Sequence, residues 1–154
     1  MNPEQRLIEI GLQLPSGTGA AGNYAAAVRS ENLLYLSGKA PLAEDGVKPK
    51  GRLGSEYSAE DGYQLARSAC MDLIAAMRNE LGSLDKVARV LELHGSLNTT
   101  PEFEDHARVL DGASDLLVEV FGAAGVHARS VVGVTSLRNG VPLTVRATVR
   151  CVPD

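Results

Sequence analysis

The chain has little of what would tie it to metals, membranes or nucleic acids. Its two cysteines, Cys70 and Cys151, stand far apart with no Cys-x-x-Cys and no Cys/His cluster, which argues against a metal site or disulfide framework and for two buried thiols. No apolar stretch approaches the roughly 20 residues of a membrane-spanning helix. The polar opening Met1-Asn2-Pro3-Glu4-Gln5-Arg6 leads into no apolar leader core, so the expected location is cytoplasmic. There is no Lys/Arg-rich run, and a net charge of -4 with a pI near 5.4 offers no field for a phosphate backbone. Nucleic acid is not expected as a partner. No cofactor signature is present either: the glycine-rich residues 14–22 lack the Gly-Lys-Ser/Thr ending of a phosphate-cradling loop and read as a connection.

What is present suits one compact domain over residues 1–154, with 44% hydrophobic and 22% charged residues. A short helix is expected over 3–12, with Pro3 in its first turn and its end near Gly11. Strands over 24–28 and 32–36 flank Arg29-Ser30-Glu31 as a hairpin loop, and Gly38 marks either a bulge or a close approach to the backbone. Residues 43–56 form a long surface excursion of the kind that is often functional. Ser58 caps the clearest helix, whose inward face is Tyr63, Ala66, Cys70, Leu73, Ile74, Met77 and Leu81, and Gly82 stops it. A strand over 87–94 then runs into a polar turn over 95–101. The second helix turns Phe103, Leu110, Ala113, Leu117, Val120 and Phe121 inward, is weakened at Asp111-Gly112 and ends at Gly122.

Strands over 130–137 and 142–152 close the chain, joined as a hairpin at Asn139-Gly140. The order of elements gives an α+β fold with two helices packed on one face of a mixed sheet. Alternation of Leu143, Val145, Ala147, Val149 and Cys151 with Thr144, Arg146, Thr148 and Arg150 leaves a polar second face, suited to a subunit interface.

The chemistry gathers at Gly125 to Val134, where a helix exit becomes a β-branched strand with Arg129 at its mouth. A planar guanidinium there either clamps a carboxylate ligand or pairs with a nearby Asp or Glu. An unperturbed imidazole titrates at about 6.5, and His127 is either an acid/base group or a helix-end hydrogen-bonding group. His94 can face the same cleft from a neighbouring chain, and His106 is read as structural. Ser130 has no nucleophile elbow and no ordered acid beside it, which argues against nucleophilic catalysis.

Tyr24 before the first strand, Ser37-Gly38 at the end of the next, Ala128-Arg129-Ser130 after a helix ending in Phe-Gly, and the run Gly112-Ala113-Ser114-Asp115-Leu116-Leu117 together resemble the RidA/YjgF (L-PSP endoribonuclease-like) family, in a longer branch, over residues 22–152. The resemblance implies a chorismate-mutase-like fold assembled as a homotrimer, with a cleft for a small carboxylate-bearing ligand at each subunit interface and no metal or cofactor. By the same resemblance Arg129 grips the carboxylate of a 2-imino or 2-enamino acid, backbone near Gly38 and Ser130 helps hold it, and Tyr24 lines the cleft. Deaminating members carry glutamates on the last strand, where this chain has Thr144 and Arg146. Thr144 can hydrogen-bond a water but has no accessible ionised form. Lys39 replaces a family glutamine and either adds a second positive charge for an anion or points to solvent, the reading favoured here.

Three functions follow from the sequence. The first is a 2-iminobutanoate/2-iminopropanoate deaminase-like hydrolase, with Arg129 as anchor and His127 and Thr144 as catalytic candidates. The second is a non-catalytic trimer that binds or senses a small carboxylate. The third, weakest for an acidic chain, is an endoribonuclease.

Overall fold

The computed structural model describes residues 1–154. Three helices and five strands alternate in chain order: α1 (Pro3–Glu9), β1 (Ala27–Ser30), β2 (Leu33–Lys39), α2 (Ala59–Leu81), β3 (Val87–Asn98), α3 (His106–Phe121), β4 (Ala128–Val134) and β5 (Leu143–Cys151). The sheet order is β1-β2-β5-β3-β4, antiparallel throughout except for the parallel pair β3 and β4. Its α+β architecture matches expectation, with α2 and α3 against one face.

Local chemistry sets the helix ends. The Ser58 hydroxyl accepts the Asp61 N–H while the Asp61 carboxylate accepts the Ser58 N–H, and Gly82 ends α2 in the left-handed region at φ 84°. Asn2 and Gln5 form the same reciprocal cap on α1. The core joins Leu73, Ile74 and Met77 of α2, Leu110 and Leu117 of α3, and Leu34, Leu93, Leu97 and Leu143 of the sheet, all fully buried. Both cysteines lie in it as free thiols.

Four expectations are corrected. The terminal strands are not a hairpin. β3 lies between β4 and β5, because the crossover through α3 makes β4 parallel to β3 on its outer side. Asn139 and Gly140 do take positive φ, at 58° and 70°, but their turn connects strands that are not neighbours. Residues 95–98 belong to β3 rather than to a turn, since at Gly95 the Leu110 side chain packs so closely that a Cβ would stand 2.7 Å from it. The first hairpin turns at Glu31-Asn32, with Ser30 opposite Leu33 and Glu31 at φ 54°. Phe103 precedes α3 and meets the His106 ring edge-on, centroids 5.4 Å apart.

The bulge expected at Gly38 is there, as a register shift between Leu36 and Lys39 against β5. Residues 43–56 are anchored by Leu53, fully buried and bridged to Thr99, and by Arg52 donating to the Thr135 carbonyl at 2.8 Å. The sheet face away from the helices carries no covering element. Val28, Tyr35 and Val132 stand about half exposed on it, at 56%, 47% and 53%.

Candidate functional site

Arg129 lies on edge strand β4, in register with Leu93 of β3, and its side chain turns toward α3. Its Nη1 donates to Ser114 Oγ at 3.0 Å and sits 2.8 Å from the Asp111 carboxylate, while Nη2 donates to the Ala107 carbonyl at 3.1 Å. The expected carboxylate pairing is therefore present. It occupies only part of the fork, because Nε–H and one Nη2–H take no acceptor from the chain, and that is the edge a carboxylate grips side-on.

His127 serves this arginine rather than standing free. Its Nδ1 lies 2.6 Å from the Gly125 carbonyl, which can only accept, so Nδ1 carries the proton and Nε2 accepts the Ser114 hydroxyl at 2.9 Å. The Ser114 oxygen is then free to accept from Arg129. A chain of hydrogen bonds runs from the guanidinium through Ser114 and His127 to the backbone, and both histidine nitrogens are used.

On the opposite face the strand alternation brings Glu92, His94 and Ser130 together. His94 Nδ1 is 2.6 Å from Ser130 Oγ, and Nε2 is 3.2 Å from the Glu92 carboxylate. Thr148 Oγ1 donates to Glu92 at 3.0 Å, and that bond, followed by the one from His94, holds the Glu92 carboxyl below the ordinary carboxylate range. An acid does accompany Ser130. The period-two spacing of Glu92 and His94 could have shown half of this group, but its pairing with Ser130 depends on the parallel β3–β4 register. None of the three main cavities is lined by Ser130, and the hydrogen bonds around it join it to His94 and, through His94, to Glu92.

Tyr24, Gly38, Lys39 and Thr144 do meet, in a cavity of about 300 Å³ at the bulged end of β2. A Cβ on Gly38 would approach nothing nearer than the Val145 carbonyl at 3.9 Å, so the bulge opens the backbone to the cavity. The Tyr24 hydroxyl accepts the Ala21 N–H at 3.2 Å. Lys39 corrects the solvent reading: it is 5% exposed, with Nζ donating to the Thr18 carbonyl at 2.7 Å. A larger cavity of about 700 Å³, between residues 42–57 and α2, contains none of the expected site residues.

One chain does not unite the two groups. Thr144 pairs with Ser96, which pairs with Val132, so Arg129 lies two strands across and three residues along from Thr144. Strand spacings of ~4.8 Å and a rise of ~3.3 Å per residue put their backbones about 14 Å apart. Their side chains also leave opposite faces of the sheet. A small carboxylate cannot span that gap within one subunit.

The five-stranded mixed sheet with two helices on one face defines one class of α+β domain, and comparison with known proteins agrees. The profile of the family described as "YjgF/chorismate mutase-like, putative endoribonuclease" matches residues 4–144, and the chain belongs to that family. Protein TCP17 of Trypanosoma cruzi is 37% identical over 144 residues, covering 93% of this chain and 90% of TCP17. A solved structure from Shewanella oneidensis MR-1 with the same endoribonuclease description is 33% identical, at TM-score 0.93 over 97% of this chain and 99% of that one. RidA from an Antarctic Psychrobacter shares the fold, at 20% identity and TM-score 0.59 over 90% of this chain and 96% of its own. No helix here is long and apolar enough to cross a membrane.

Proposed function

We propose that the protein is a RidA-type hydrolase of 2-imino or 2-enamino acids, working as a homotrimer in which Arg129 of one copy completes the Tyr24, Gly38 and Thr144 cavity of the next. The observation that carries this reading is Arg129 itself, held by Ser114, Asp111 and the Ala107 carbonyl with its side-on edge unused. Such an anchor is oriented before the ligand arrives, which removes ordering entropy from binding. The uncovered sheet face with Val28, Tyr35 and Val132 supports assembly.

Hydrolysis of an imine requires a water held at the imine carbon and a proton delivered to the departing nitrogen. Thr144 holds the water. His94, hydrogen-bonded to Ser130 and backed by Glu92, is the proton source in place of the family glutamate. His94 pairs with Arg146 across the strands and Thr144 lies two residues along on the same face, a diagonal of about 7–8 Å between backbones. His127 positions Arg129 through Ser114.

The test is release of ammonia and keto acid from freshly generated 2-aminoacrylate. Acceleration by the wild type, lost in Arg129→Ala and reduced in His94→Gln, is expected. Absence of acceleration would remove the hydrolase reading and, if carboxylates still bind, leave the second one, a non-catalytic carboxylate-binding trimer, which the replacement of the glutamate by Thr144 favours. An endoribonuclease is the least supported reading, because the net charge of -4 opposes a polyanion.

A further inference from the structure

We propose that the Lys39 cavity receives a second anionic group of the substrate, so that the preferred substrates are dianionic, 2-imino dicarboxylic acids rather than monocarboxylic ones. The inference rests on the function proposed above and names the substrate class for that site.

The cavity is lined by three cationic side chains, Lys39, Lys48 and Arg138, and by one carboxylate, Asp72. A local excess of two positive charges within a chain of net charge -4 is an anion-attracting field. None of the three cations belongs to any of the six ion pairs of the structure. Lys48 Nζ donates to the Pro41 carbonyl at 2.7 Å and Arg138 Nη2 reaches the Ala21 carbonyl at 3.4 Å, so both are held by neutral acceptors rather than by carboxylates in contact, although Lys48 also borders the larger cavity that Glu44, Glu56 and Asp61 line.

Lys39 is the most informative of the three. Its ammonium is almost fully buried, a costly placement without a counter-charge in contact. The nearby Asp72, 1% exposed, does not supply that contact. Its two oxygens accept from Thr18, Oδ1 from the backbone N–H at 3.0 Å and Oδ2 from the hydroxyl at 2.6 Å, and Lys39 meets Asp72 only through Thr18, at 3.1 Å from that hydroxyl oxygen. Both Lys39 bonds go to Thr18, while an ammonium has three N–H donors. The third is left for the cavity. Arg129 of the neighbouring copy takes the carboxylate next to the imine, and this cavity takes the other end of the molecule.

The experiment compares binding of two stable keto-acid analogues by calorimetry at low ionic strength, 2-oxobutanoate with one carboxylate and 2-oxoglutarate with two. Wild type should bind 2-oxoglutarate at least tenfold more tightly, and Lys48→Gln/Arg138→Gln should bring its affinity toward that of 2-oxobutanoate. Those rim substitutions keep hydrogen-bonding groups and leave the buried Lys39 in place, so folding is preserved, as circular dichroism would confirm. Equal affinities in the wild type, or a preference that survives the double substitution, would overturn the dianion inference. Arg129→Ala separates the two layers. Loss of 2-oxobutanoate binding in that variant upholds the anchor even where the dianion preference fails, whereas unchanged binding of both ligands removes the anchor and the inference with it.

Discussion

Gly112 sits where α3 crosses α2, and replacing it with alanine sets two effects of known size against each other. Alanine raises helix propensity by about 1 kcal/mol over glycine. Against this, an added Cβ would stand 1.9 Å from the Tyr63 carbonyl oxygen and 2.8 Å from its carbonyl carbon, where ordinary contact begins at 3.4 Å. The helices would have to part by about 1.5 Å, the difference between 3.4 and 1.9 Å. The obstacle is backbone, so no rotamer change relieves it, and overpacking of this kind costs about 3 kcal/mol, at the upper end of the usual range. The clash wins by about 2 kcal/mol. For a chain of this length that lowers the melting temperature by about 4–8 °C. Urea titration and thermal melts of Gly112→Ala beside the wild type measure both quantities. Because Ala107, Asp111 and Ser114 on the same helix hold Arg129, carboxylate affinity should fall with stability. A variant as stable as the wild type would show that the α2–α3 approach is not as close as described.

Glu4 accepts from Arg78 at 2.6 Å and from the Leu84 N–H at 2.8 Å; burial pushes its carboxyl pKa up, but these bonds outweigh burial and leave it below the ordinary 4.5. A carboxyl depressed in the fold contributes stability that is complete above 4.5 and lost as pH falls through the folded value, so the deficit of Glu4→Gln in urea midpoint should be plain at pH 7 and vanish in acid. Burial pushes the Cys70 thiol up to about 12 and raises Cys151 as well, so neither should react with a disulfide reagent at pH 8 until urea exposes them; rapid labelling of native protein would contradict their burial.

The parts of the fold readable in the sequence are those fixed by local chemistry. Ser58 and Gly82 bracket α2 because a cap and a left-handed stop act within a few residues. The alternation along β5 identifies its buried face because side-chain direction has a period of two. Strand order is a different kind of fact. Asn139-Gly140 satisfies its own turn preference equally well whether the flanking strands are neighbours or stand on either side of β3, so the same signal misidentifies the pairing. Gly95 and Gly112 look like breaks in a strand and a helix, yet each is required by a neighbour distant in sequence, Leu110 in one case and the Tyr63 carbonyl in the other.

The candidate site divides in the same way. Arg129 could be identified as a charged group at the mouth of an apolar strand, but its holders Ala107, Asp111 and Ser114 come from a helix that approaches only after the β3-α3-β4 crossover forms. Lys39 next to a strand-end glycine looks exposed in isolation. It is buried because Gly38 bulges the strand and the glycine-rich connection closes over the ammonium with the Thr18 carbonyl, while Asp72 fixes Thr18 from α2. A segment that lacks every mark of a phosphate loop thus still shapes the Lys39 cavity, through one backbone carbonyl and one hydroxyl. The distance between that cavity and Arg129 then decides how the chain can work. About 14 Å and two faces of a sheet separate them, so one subunit cannot hold both ends of one small ligand, and either two ligands bind independently or, under the proposed assembly, a second copy brings the halves together.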